Sequence, residues 1–211
     1  MTIRYAALGL AFFPLTAVSA GSIDLSLLPD QAAYPVGAQV AVQVRARAAS
    51  GEPEGMLSFQ MIFTWDPSRL QLLGVSTAGA PSFTGIGFFH DAYGINESSP
   101  PTDGTAMLIG LGPLGSSIMA PTTPNGALLT TMLFTALAPS QATPLTILPS
   151  AGNPVGISVV YGDTGPNVNN TGVLTGTSVT IIPAPSAAGL LAVGFVLKRR
   201  RREAPAVRAR P

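Results

Sequence analysis

The chain has 211 residues, 46% of them apolar and only 10% charged, with 23 glycines, 20 prolines, no cysteine and a net charge of +1. Ordinary domains carry roughly 25% charged residues, so charge-driven disorder and long coiled coils are excluded. The missing thiol excludes disulfide scaffolds, thiol catalysis and cysteine-ligated zinc. Residues 1–20 read as a secretory signal peptide: Arg4, an apolar run from Tyr5 to Phe13, and the small-residue cleavage site Val18-Ser19-Ala20. Cleavage after Ala20 would begin the mature chain at Gly21.

The middle of the chain alternates with period two, the signature of half-buried strands. Ile23, Leu25 and Leu27 alternate with Asp24 and Ser26. Val40, Val42, Val44 and Ala46 alternate with Gln43, Arg45 and Arg47. Leu57, Phe59, Met61, Phe63 and Trp65 alternate with Ser58, Gln60, Ile62 and Thr64, which puts the first set inside and the second outside. Shorter candidates are 70–75, 86–90, 105–111, 145–148, 157–161 and 173–182, with a further run from Leu128 to Phe134. Pro, Gly and Asn/Asp clusters separate them, and no helical period appears. This predicts an all-β, antiparallel sandwich of about nine or ten strands over residues 21–182, with Trp65, Phe59 and Phe63 in the core. Asp66-Pro67 predicts a turn: the carboxylate accepts amide hydrogens, the proline presets φ, and Leu70 returns to the core.

Two stretches, Val36-Gly37-Ala38-Gln39-Val40-Ala41-Val42-Gln43-Val44 and Leu57 to Trp65 followed by Asp66-Pro67-Ser68-Arg69-Leu70, resemble the opening of a cohesin domain. Gly126 to Phe134 and Gly176 to Ile181 are similar to its later strands. The resemblance implies a jelly-roll-like sandwich related to carbohydrate-binding domains. It also implies a non-catalytic module that binds a dockerin-type protein through one sheet face, to which Ser58, Gln60, Ile62 and Thr64 would contribute.

The end of the chain is a second address. Pro183-Ala184-Pro185 precedes an 11-residue apolar run, Ala187 to Leu197, and then the basic cluster Lys198 to Arg202. A helix of that length spans about 16 Å, short of a ~30 Å hydrocarbon core. The arrangement resembles the PEP-CTERM sorting signal of Gram-negative bacteria, with Ala184 in place of its central Glu. That resemblance implies processing by an exosortase, a transient or permanent membrane anchor through 187–197, and delivery to the outer surface or extracellular matrix. The expected division is therefore signal peptide 1–20, sandwich 21–182, sorting or anchor segment 183–202, and a cytoplasmic or removed tail 203–211.

Other chemistry is sparse. His90 is the one histidine, and no Gly-x-Ser-x-Gly elbow surrounds a serine. Glu52 and Glu54 flank Pro53 in an expected loop; Asp163 to Asn170 is rich in oxygen donors that calcium would accept, though a hairpin turn is the simpler reading. Asn96-Glu97-Ser98 and Asn169-Asn170-Thr171 match glycosylation sequons. No cofactor motif is present, and the basic cluster lacks the aromatic residues of a nucleic-acid surface. The alternative to protein recognition is a carbohydrate-binding module for extracellular polysaccharide, with Tyr34, Tyr93, Tyr161, Phe88 and Phe89 as candidate aromatics.

Overall fold

A computed structural model describes residues 21–184, apart from 82, 92–93, 153–155 and 166–167. It holds thirteen strands in two sheets: β1 (Ile23–Pro29), β2 (Ala33–Pro35), β3 (Gln39–Ala48), β4 (Glu54–Thr64), β5 (Leu70–Ser76), β6 (Gly85–Gly87), β7 (Thr105–Leu111), β8 (Ile118–Ala120), β9 (Ala127–Ala136), β10 (Ser140–Leu148), β11 (Val159–Gly162), β12 (Thr171–Thr175) and β13 (Thr177–Ile182). The count exceeds nine or ten because β2 and β8 are three-residue strands with no alternation to read, and because the run expected at 173–182 divides into β12 and β13. One sheet has the order β12-β1-β3-β9-β5; the other runs β2-β13-β10-β4-β7-β6, with β8 and β11 also paired to β4. Pairing is antiparallel except at β1–β12 and β13–β2. Among the described residues no helix is long and apolar enough to cross a membrane. The C-terminal helix expected at 187–197 lies outside those residues, as does the signal peptide at 1–20.

β4 organises the second sheet because it is long enough to hold two neighbours on each edge. β10 and β11 divide one edge, pairing with Ile62–Thr64 and Met56–Gln60. β7 and β8 divide the other, pairing with Ser58–Thr64 and Glu54–Met56. The register slips opposite Tyr161/Gly162, where one extra residue of β4 is accommodated at Leu57. This bulge corrects the sequence expectation for Leu57. Strict alternation puts it inside with Phe59, but the inserted residue resets the phase, so Met56 is buried and Leu57 exposed.

The core lies between the sheets. Phe63 stacks on Trp65 at 5.4 Å between centroids, and Trp65 meets Phe134 of the opposite sheet edge-on at 5.9 Å. Such pairs add about 0.5–1.5 kcal/mol beyond the area they bury. The Trp65 indole N–H donates to the Leu70 carbonyl at 2.9 Å, tying the aromatic core to the turn at 66–70. Between β12 and β13 the chain passes from one sheet to the other at Gly176, where a Cβ would collide with the Leu145 carbonyl. Only glycine admits so close a backbone approach.

Tyr34 is buried, and its hydroxyl donates to the Asp30 carboxylate at 2.6 Å while accepting the Gln31 N–H. Burial first, then the hydrogen bond to Asp30, pushes the phenol up to about 12 from its ordinary 10.0. A raised folded-state value stabilises fully below the unfolded value and is lost as pH rises through the folded one. Thermal unfolding followed across pH 9 to 12 should therefore show a falling Tm above about pH 10, and Tyr34→Phe should flatten that fall.

Candidate functional site

The outer face of the β4 sheet can be assembled row by row, because residues in register share a face. One row is Tyr161, Ser58, Leu111 and Gly85; the next is Val159, Gln60, Ile109 and Gly87. Then come Leu148, Ile62 and Met107, and finally Thr146, Thr64 and Thr105 at the end nearest the Asp66 turn.

Half of this face is roofed. Ile62, Met107 and Ile95 form a second, small apolar cluster, against which Ile109, Leu148 and Ala151 pack. The loop carrying Ile95 is fixed by Asn96, whose carboxamide donates to the Phe89 and Met107 carbonyls and accepts the Met107 N–H at 2.9 Å. Asp91 in turn accepts the Ile95 and Asn96 amides. On the other flank the Ser158 hydroxyl oxygen accepts the Ile62 N–H at 2.9 Å and its O–H donates to the Leu148 carbonyl at 2.5 Å. Ile62 is therefore 0% exposed. This corrects the expectation that it belongs to an open partner face: its position on the strand is outward, but a loop distant in sequence covers it.

The other half is open and apolar. Ser58 and Gln60 are half-buried here, and Gln60 donates to the Ile157 carbonyl. Leu111 is 47% exposed, and the Phe89 ring lies against Gly85 beside it. Leu57, pushed outward by the bulge, and Met119, paired with Gly55, extend the surface toward the Glu54 end of β4. Leu114 occupies the tip of a turn closed from Ser116 N–H to the Pro113 carbonyl and is 97% exposed. Gly115 takes φ +77° there, the left-handed position a type II turn requires. Neither this surface nor its rows contain lysine or arginine. Arg45 donates to the Asn125 and Gly126 carbonyls and Arg47 pairs with Asp24 at 2.8 Å, both on the other sheet. Arg69 donates to the Pro139 carbonyl beside the Asp66 turn. The Asp163 carboxylate lies over Gly55 at one end of this surface.

Asp66 accepts the Ser68 N–H at 2.9 Å and the Ser68 hydroxyl at 2.6 Å, and its carbonyl accepts the Arg69 and Leu70 amides. The Ser68 hydrogen bonds hold the Asp66 carboxyl below its ordinary value. Pro67 packs toward Gly104, and Leu70 is buried. These residues build a turn. Thr64 is half-buried, across the strand pair from Thr105. His90 is exposed, while the Asp91 carboxylate faces the amides of its own loop. Glu52 is exposed, and Glu54 starts β4 with the Ser50 hydroxyl bonded to it. Asp163 lies over Gly55 on the outer face, whereas the buried Asn170 amide sits against Gly162, whose register partner Met56 points inward. The two oxygen donors thus occupy opposite sides of the sheet. Among the described residues no group of three His, Cys, Asp or Glu side chains could hold a metal ion. Tyr34 and Phe88 are buried, Tyr161 is half-buried, and Tyr93 lies outside the described residues. Pro183 and Ala184 are exposed beyond β13, Gly21 precedes β1, and Ala20 and Pro185 lie outside the described residues. Asn96, read from the sequence only as a sequon, is the keystone of the roof; no local pattern distinguishes the two roles.

The fold defined by these sheets is that of a cohesin-like β-sandwich. The seventh ScaB type I cohesin from Pseudobacteroides cellulosolvens is similar at TM-score 0.53 and 13% identity, over 79% of this chain and 96% of that one. A cohesin from a Clostridium thermocellum type I cohesin–dockerin complex is similar at 0.52 and 12%, over 76% and 99%. The cohesin module of a Clostridium perfringens family 33 glycoside hydrolase is similar at 0.50 and 13%, over 78% and 98%. No family model and no curated protein matches the chain.

The roof predicts a sharp contrast between two neighbours on one strand. Ile62→Ala should cost about 2–4 kcal/mol, as a buried isoleucine does, whereas Gln60→Ala should cost about 1 kcal/mol or less, both read from denaturant midpoints.

Proposed function

We propose that this chain is an exported, surface-anchored, non-catalytic adaptor that recognises a dockerin-type protein through the open half of the β4 sheet's outer face. The observation that carries the reading is the set of exposed apolar side chains on and beside this face, Leu57, Phe89, Leu111 and Met119, with Leu114 on a nearby turn in the same stretch of chain, free of lysine and arginine and with Asp163 at the Gly55 end. Exposed apolar surface of this kind marks interaction sites. The cohesin-like fold supports a binding role, since a relative of that fold is found in complex with a dockerin. Export rests on the leader at 1–20, and anchoring on the Pro183-Ala184-Pro185 motif, the apolar run 187–197 and the basic cluster. An exosortase-type enzyme would process the latter, leaving the sandwich at the cell surface or in the extracellular matrix.

The polysaccharide reading has less support. Burial of Tyr34 and Phe88 removes two of its five candidate rings, and Tyr161 and Phe89 stand at opposite ends of one row with Ser58 and Leu111 between them.

Titration of the full chain with a panel of purified dockerin modules should find at least one that binds, and Leu111→Glu with Leu114→Ser should weaken it at least 10-fold without changing Tm. Binding unaltered by both substitutions would remove this face, and absence of binding across the panel alongside a positive glycan array would favour the polysaccharide.

A further inference from the structure

We propose that Glu54 and Ser50 form a receptor for the α-ammonium group of Gly21, created when the leader is cut after Ala20. The inference rests on the export part of the function proposed above. In that step a signal peptidase adds water across the Ala20–Gly21 peptide bond. Ala20 leaves as a carboxylate, and the Gly21 nitrogen takes up protons to become an ammonium at neutral pH.

Three observations place the new charge. First, the Glu54 carboxylate packs so closely against Gly21 that a Cβ at that position would coincide with it, so no other residue fits there unchanged. Second, the chain is pinned immediately afterwards. The Ser22 carbonyl accepts the Ala49 N–H at 2.9 Å, Ile23 donates to the Asn170 carbonyl at 2.7 Å, and Ile23 is in register with Ala48. The new terminus is thereby held within one residue of the fixed start of β1. Third, Glu54 is held from its own side: it pairs in register with Ala120, and the Ser50 hydroxyl donates to its Oε1 at 2.7 Å. Among the described residues no arginine or lysine forms an ion pair with Glu54.

Cleavage would turn the neutral amide of the buried Gly21 into a full positive charge beside the half-buried Glu54 carboxylate, where an ion pair is screened less than in open water. The pair would join β1 of one sheet to β4 of the other, at the end of β4 that carries Gly55, Asp163 and Met119. Removal of the leader would thus fasten the two sheets together beside the partner surface.

The test compares two forms of the full chain, one exported and processed, the other made without export so that residues 1–20 remain. Mass measurement of the processed form should give Gly21 as its first residue. NMR titration of its α-amine should give a value above the ordinary ~7.7–8.0, because a nearby carboxylate favours the charged form, and Glu54→Gln should return it to that range. Glu54→Gln should lower the Tm of the processed form by about 3–6 °C, the size expected for a partly buried ion pair in a domain of this length, and that of the leader-bearing form by less than about 1 °C. Gly21→Ala should raise amine reactivity toward acetic anhydride in the processed form by displacing the carboxylate. An ordinary amine titration with the chain cut at Gly21 would overturn this proposal and leave export standing. Equal Tm losses in both forms would also overturn it, and an exported chain that begins elsewhere or is never cut would overturn it together with the assigned leader.

Discussion

The structure depends on one strand serving four neighbours. β4 is the longest strand, and its eleven residues hold β8 and then β7 along one edge and β11 and then β10 along the other, with the bulge at Leu57 between the β8 and β7 segments and opposite β11. Below the bulge, Phe59, Met61 and Phe63 drive the core, and Trp65, just past the strand's end, fastens it to the turn at 66–70. Above it, the phase reverses and Met56 takes over the inward position. A straight β4 would bury Leu57 and expose Met56, and the pairing with β8 would be shifted with it.

The same strand separates two surfaces of different chemistry. The β1–β3–β9 sheet shows solvent a polar outer face, with Asp24, Gln43, Arg45 and Arg47 linked to one another or to a neighbouring loop. The β4 sheet shows a roofed half and an apolar half. The chain is sparsely charged, so where the few arginines lie decides which face can meet a partner without stripping water from ions. The three among the described residues are on the first sheet or at the Asp66 turn, already occupied by carbonyls or carboxylates.

The architecture was legible because alternation reports which side of a strand faces the core. The Asp66-Pro67 turn and the aromatic centre were legible because turn chemistry and ring burial are local. What alternation cannot report is what lies on top of the outward side. Ile62 reads as exposed until Asn96, more than thirty residues away, brings its loop down through hydrogen bonds to Met107 and Phe89. Leu57 reads as buried because a bulge leaves no mark in a string of apolar and polar letters. The open surface was missed in part for the same reason: Leu114 and Met119 belong to a turn and a three-residue strand, too short for any period.

The register also fixes which end of the sandwich each feature occupies. β13 runs out at Ile182 beside Ser140 and Pro35, at the same end as the turn at 66–70, whereas Leu57, Leu114 and Met119 sit at the opposite end of β4. A tether beyond Pro183 and a partner on the apolar surface would therefore pull along the strands rather than across them. Along that axis the hydrogen bonds of β13 with β10 and β2 are strained in shear, many at once, rather than opened one after another. Mechanical resistance would then follow from where the chain leaves the sheet, independently of how tightly any ligand is held.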